Sequence, residues 1–284
     1  MKIRQRDFDL CQIAESGQCF RMNPLNEDGT AYGITAMGRR LEILQEGEEF
    51  TLSCGEEEFE AVWREYFDFD TDYGAMKAKV DPTDQFMQES MAAGGGIRIL
   101  RQDLWEVMVS FVISQNNNIV RIKRSIEALC ERYGERIETP ESCALTEEQG
   151  LLTFSFPSPH VLAALKPQDL QGCGLGYRDR YVICAAQAVK EGALDLEALK
   201  RMEYGQAREA LMGICGIGIK VAECICLFGL HHIEAFPIDT HVNRLLQDHY
   251  PDGFPFERYQ GFAGVLQQYG FYTQLHKAKK KGRK

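Results

Sequence analysis

The chain has 284 residues, 44% of them hydrophobic and 26% charged, with a formal net charge of −10. At ~150 residues per domain this allows one to three domains, and the composition excludes a disordered, collagen-like or disulfide-scaffold chain. The acidity also argues against a nucleic-acid partner, because polyanion binders are usually basic. The charge is unevenly spread, however. Residues 1–100 hold 10 Lys/Arg against 20 Asp/Glu, whereas residues 101–284 hold 22 of each.

The first 80 residues read as short strands and turns. Gly33–Met37, Arg40–Gln45 and Glu49–Ser53 are β-compatible and separated by Gly or charged turns. Residues 59–66 form one helical stretch, and Gly94-Gly95-Gly96 is a flexible joint between two domains, 1–100 and 101–284. Beyond it the pattern becomes helical. Asp103 is an N-cap for an apolar helix ending near Gln115, and residues 119–133 follow with Ile119, Ile122, Ile126, Leu129 and Cys130 on one face. Further helices are expected over 179–190 and 194–201. A pair, Tyr204–Gly213 and Ile219–Leu230, is joined by a short Gly turn. Thr240–His249 and a last helix from about Phe256 to Gln274 complete the chain. The expected class is α+β: an N-terminal antiparallel sheet domain followed by a mostly helical domain.

No run of 18 apolar residues suggests a membrane span, and the start MKIRQRDFDL lacks the apolar core of a secretory signal. Ten cysteines without such a signal point to free thiols in a reducing, cytoplasmic compartment, nucleoid-associated if the source is bacterial. No C-x2-C pair, P-loop or dinucleotide fingerprint occurs, so neither metal nor organic cofactor is expected.

The segment 211–244, LMGICGIGIKVAECICLFGLHHIEAFPIDTHVNR, carries the chemistry. Gly216 and Gly218 flank Ile217 and permit a tight hairpin whose backbone N–H groups, at a helix start, bind a phosphate oxygen without net positive charge. A plain αα-hairpin would use the same glycines. Lys220 heads an otherwise apolar helix. It either snorkels to solvent or is desolvated enough to supply a neutral amine nucleophile. Asp239, after Pro237 and before a helix, is an N-cap or a fixed anion placed to stabilise a cationic sugar transition state.

These features resemble the helix-hairpin-helix DNA glycosylases and, among them, the 8-oxoguanine DNA glycosylases. Four other segments resemble that family in the same order: DLCQIAESGQCFR at 9–21, FVISQNNNIVR at 111–121, GLGYRDRY at 174–181, and the Ala-Gly…Gln…Phe element at 259–272. The resemblance implies an N-terminal sheet domain of the TATA-binding-protein type, a cleft between two helical subdomains, and a bifunctional glycosylase and AP lyase. Its partner would be double-stranded DNA containing 8-oxoguanine opposite cytosine. It would need no membrane and no obligate protein partner, and would act as a monomer.

Residue by residue, the resemblance makes Lys220 the Schiff-base nucleophile and Asp239 the stabiliser of positive charge on the sugar. The backbone C=O of Gly17 would accept the N7–H that distinguishes the lesion from guanine, a difference of ~1–3 kcal/mol. Cys224 and Phe271 would sandwich the base and Gln267 would read its Watson–Crick edge, with Gln268 the alternative in a shifted alignment. Asn116 would fill the gap in the duplex and Tyr177 would wedge beside the orphan base. Arg121 and Arg178 would bond the estranged cytosine, and His241 would face a phosphate. Cys215 stands where the family's hairpin has Pro, which implies a looser turn. Gly270 weakens the last helix by ~1 kcal/mol relative to Ala. Two competing readings are a monofunctional glycosylase for alkylated bases, which needs no Lys, and a non-catalytic DNA-binding module.

Overall fold

The computed structural model describes residues 1–137 and 152–281. Five strands, β1 (Lys2–Arg4), β2 (Met22–Pro24), β3 (Ala31–Ala36), β4 (Arg39–Glu46) and β5 (Glu49–Leu52), form an antiparallel sheet in the order β1-β5-β4-β3-β2. The three expected strands are β3, β4 and β5. The two edge strands, three residues each, are too short to show period-2 alternation. Helix α1 (Leu10–Glu15) and the stretch α2 (Glu56–Glu58), π-turn (Phe59–Trp63) and α3 (Arg64–Tyr66) accompany the sheet. Their core is aromatic: Phe8 meets Phe50, Phe67 and Phe69 at centroid distances of 4.9, 5.1 and 4.9 Å.

The remaining helices are α4 (Tyr73–Ala78), α5 (Gln85–Gly94), α6 (Leu104–Ser114), α7 (Ile119–Tyr133), α8 (Pro159–Ala163), α9 (Asp179–Lys190), α10 (Leu196–Leu199), α11 (Tyr204–Met212), α12 (Ile219–Phe228), α13 (Thr240–His249) and α14 (Ala263–Lys281). A two-stranded ribbon, β6 (Arg136–Ile137) and β7 (Thr153–Phe154), and a 3₁₀ turn (Gly176–Arg178) lie between α7 and α9. Helix α6 is the axle: nine of its 11 residues are buried, and it packs on α7, α9 and α12. A helix apolar all round can only be stable when enclosed this way.

Two expectations are corrected by packing. The division at residue 100 is not the division of the cores, because Tyr73, Val80, Met87, Ile97 and Ile99 belong to the helical core and α5 packs along α14. The triple glycine is no flexible joint. Gly94 ends α5, and Gly96 both donates to Gln12 Oε1 (2.8 Å) and accepts from the Asp9 amide (2.9 Å). A Cβ on Gly96 would lie 2.4 Å from the Asp9 Cβ, so the glycine serves close approach of the N-terminal segment. The last helix begins at Ala263 rather than 256, because Gly261 is left-handed at φ +84° and breaks the periodic run. In that helix Gly270 fits a crossing, where a Cβ would come within 2.8 Å of Leu245.

Candidate active site and nucleic-acid interface

The hairpin forms despite Cys215. Its turn closes through the Ile217 amide donating to the Ile214 carbonyl at 3.0 Å. Gly216 is required twice over: its φ is +85°, and a Cβ there would sit 2.4 Å from Tyr181 Cγ on α9. Its carbonyl accepts from Gln115 Nε2 at 2.9 Å, which ties the hairpin to the α6–α7 turn. Gly218 is different. It is the extended N-cap of α12, with open space where a Cβ would be and no side chain capping the first amides of the helix. Such amides have no partner inside the helix and suit an anion.

Of the ten residues of α12, only the first two, Ile219 and Lys220, are not buried. Lys220 is thus the polar group that emerges from a buried helix. Its Nζ lies 5.5 Å from the centre of the Phe111 ring, and Cys224 follows one turn on along the same helix. Burial pushes the Cys224 thiol up to about 11, against the pull of Lys220, so Cys224 is a buried neutral sulfur.

Asp239 caps α13, accepting from the amides of His241 (2.9 Å) and Val242 (2.8 Å), and remains half-exposed. The loop before Asp239 is held by α14. Gln267 Nε2 donates to the Pro237 carbonyl at 3.0 Å, and Gly264, whose amide donates to Ile233 O, leaves room for a contact that a Cβ would make at 2.3 Å from Ala235 O.

The structure gathers most of the expected base-pocket residues. A Cβ on Gly17 (φ +77°) would lie 3.4 Å from the Phe271 ring, and the His241 ring stands perpendicular to that ring at a centroid distance of 6.0 Å. Gln267 and Phe271 are four apart in α14 and so share a face. Gln268 is turned away from that face and donates to Gln267 Oε1 at 3.0 Å.

On the opposite wall, Asn116 (φ +47°) donates to the Tyr177 hydroxyl at 3.2 Å, so the expected plug and wedge already touch. Arg121 is exposed at the start of α7, where its amide donates to the Asn118 cap. Arg178 departs from its expected place among cytosine contacts. It is buried, and its guanidinium donates to the carbonyls of Gln115 (2.7 Å), Asn116 (2.9 Å) and Leu175 (3.1 Å) while stacking on Tyr177. Four of its five donors are thereby taken, counting a second bond to Gln115 O. It holds the backbone under Asn116. Sequence reasoning missed Gln115, Tyr181 and Phe111 as supports of the site. Phe111 and Gln115 lay within a quoted motif, but nothing local marks them as partners of residues a hundred positions away.

Comparison with known proteins identifies the family. Residues 1–108 match the model of the 8-oxoguanine DNA glycosylase N-terminal domain, and residues 109–253 match that of the HhH-GPD superfamily base excision DNA repair proteins. The chain belongs to the 8-oxoguanine DNA glycosylase family. The N-glycosylase/DNA lyase of Saccharomyces cerevisiae is 30% identical over 277 residues, which cover 88% of this chain and 70% of that one. The 8-oxoguanine glycosylase/lyase of Clostridium acetobutylicum, solved with double-stranded DNA containing cytosine opposite 8-oxoguanine, superposes with a TM-score of 0.87 at 32% identity and covers 98% of each chain. A related Ogg1 protein bound to a low-affinity DNA ligand gives a TM-score of 0.89 at 33% identity, covering 98% of this chain and 96% of that one. The hairpin, Lys220 and Asp239 all fall inside the second matched region, while Gly17 falls in the first.

Proposed function

We propose that the chain excises 8-oxoguanine from duplex DNA, preferably opposite cytosine, and then cleaves the strand by β-elimination. The observation that carries the reading is the pair of helix starts that follow the hairpin: Lys220 emerges at the head of the otherwise buried α12, its Nζ near the Phe111 ring, and Asp239 is fixed by two amides at the head of α13. The target nucleotide must leave the stack to reach that amine. Lys220 Nζ attacks the sugar C1′, the glycosidic C–N bond breaks, and its electron pair leaves with the base, which takes up a proton. Ring opening and loss of the amine protons give an imine. Loss of a C2′ proton then expels the 3′ phosphate. Asp239, fixed as an anion by two helix amides, stabilises the positive charge that builds on the sugar.

Gly17 C=O accepts the N7–H of the lesion, Cys224 and Phe271 close on its faces, and Gln267 reads its edge. Asn116 and Tyr177 occupy the space beside the orphan cytosine, which Arg121 bonds. Arg178 serves that wall as the brace of Asn116 rather than from the surface. Gly216 and Gly218 shape the hairpin that holds a phosphate, and His241 faces another. The nine described cysteines are free thiols, which supports a reducing cytoplasmic location, the nucleoid if the source is bacterial. No described helix is long and apolar enough to cross a membrane.

The test is borohydride trapping on an 8-oxoguanine·cytosine duplex. The wild-type chain forms a covalent adduct and Lys220→Gln forms none. Excision without an adduct would favour the monofunctional reading, and binding without any product would favour a non-catalytic module.

A further inference from the structure

Glu223 lies on α12 three residues after Lys220 and is buried, an unusual place for a carboxylate. It is fully engaged. The Tyr204 hydroxyl of α11 donates to its two oxygens at 2.7 and 2.6 Å, Arg208 Nη1 pairs with it at 3.2 Å, and the Phe236 backbone N–H donates to Oε2 at 3.2 Å. Burial and the carboxylate push the Tyr204 phenol up, so the phenol stays a donor. Two of these partners belong to the hairpin. The third belongs to the loop that reaches Asp239 three residues later.

Among the described residues, this is the hydrogen bond that joins the helix of Lys220 to residues 235–239. The adjoining residue of the loop is fixed from the other side, where Gln267 takes the Pro237 carbonyl. The loop is therefore clamped at consecutive residues, by α12 through Glu223 and by α14 through Gln267.

We infer that Glu223 is a positioning residue of the reaction: by holding the Phe236 amide it sets the separation between Lys220 and Asp239. This rests on the function proposed above. Reach and charge are separable at this site. Gln keeps the length and an acceptor oxygen for Phe236 but gives up the charge facing Arg208. Asp keeps the charge but is one methylene short of the loop.

The experiment uses the full chain in excess over an 8-oxoguanine·cytosine duplex. It measures the single-turnover excision rate, the affinity for a tetrahydrofuran-containing duplex, and Tm. Glu223→Asp is expected to slow excision by roughly 10²-fold, the scale of an ångström-level misplacement, with affinity changed by less than about threefold. Glu223→Gln is expected to recover all but about tenfold of that rate. Tyr204→Phe, which removes a donor from the carboxylate but leaves the Phe236 bond to Oε2 in place, controls for lost stability and should leave the rate within about threefold. The inference is overturned if Asp and Gln variants excise equally, if Gln is the slower of the two, or if excision falls only in step with Tm and affinity. A wild-type chain that neither excises nor traps would instead sink the function reading itself.

Discussion

Gly216 and Gly218 sit two residues apart in one turn, yet the structure gives them opposite sensitivities to a methyl group. At Gly216 an Ala must adopt φ +85°, a left-handed conformation that costs ~1–2 kcal/mol. Its Cβ must also face the stem of Tyr181, with Cγ, Cδ1 and Cβ at 2.4, 2.5 and 2.8 Å. That stem is anchored in α9 and cannot swing away as a flexible chain end could, so overpacking adds ~1–3 kcal/mol. Gly216→Ala should therefore lose about 2–5 kcal/mol of stability, roughly 4–20 °C in Tm for a chain of this size. Gly218 has φ −89° and open space, so Gly218→Ala should stay within ~1 kcal/mol of wild type. Its methyl stands instead over the uncapped amides of α12 and should weaken binding to a tetrahydrofuran duplex by about tenfold, roughly one lost charge-assisted hydrogen bond. Calorimetry and fluorescence anisotropy give the two readouts. Adding Tyr181→Ala to Gly216→Ala removes the Cγ and Cδ1 contacts but keeps the Cβ one, so it should return part of the packing loss and leave the backbone part, a favourable coupling of ~1 kcal/mol. If Gly216→Ala melts with the wild type, or if both substitutions destabilise equally, the account of this turn is wrong.

Asp239→Asn separates capping from catalysis. Asn caps a helix as well as Asp does, so Tm should move by no more than a few degrees while single-turnover excision falls by ~10²–10³. An unchanged rate would make Asp239 a cap and nothing more. Arg121→Ala should relax the preference for cytosine by ~1–3 kcal/mol, measured as relative excision opposite the four bases. Glu106 supplies a pH test. Burial pushes its carboxyl up to about 7, against the pull of Arg21, whose Nη1 is 4.0 Å away. A carboxyl raised in the folded state contributes most below its unfolded value near 4.5, and that contribution is lost as pH climbs to about 7. The Tm advantage of wild type over Glu106→Gln should therefore shrink between pH 5 and pH 8; a constant difference would refute the shift.

The proposed catalytic pair stands out in the sequence because its signals are local. A Gly-x-Gly turn, a lysine heading an apolar helix and a Pro-Ile-Asp before the next helix each declare themselves within a few residues. The central helices were legible for a similar reason, since α6, α7 and α12 carry long periodic or continuous apolar runs. What stayed hidden depends on partners distant in sequence. Glu223 looks like any helix glutamate until Phe236 and Tyr204 close on it. Arg178 resembles a surface arginine, yet the α6–α7 turn, some 60 residues earlier, swallows its donors. Gly94–Gly96 reads as a linker because composition cannot show that Asp9 and Gln12 press against it. The bond from Gln267 to the Pro237 carbonyl likewise depends on a partner 30 residues away.

The brace beneath Asn116 has a consequence for the nucleic acid. Arg178 pins two successive carbonyls, at 115 and 116, and Asn116 is in turn bonded to Tyr177, so the wall proposed to face the duplex is a braced edge. A stiff edge cannot share in the bending, and the deformation falls on the DNA. The energy of unstacking and kinking then varies with the base steps that flank the lesion, with pyrimidine–purine steps yielding most readily. Selectivity among damaged sites would thus be written partly in the mechanics of the double helix, at positions the protein never touches.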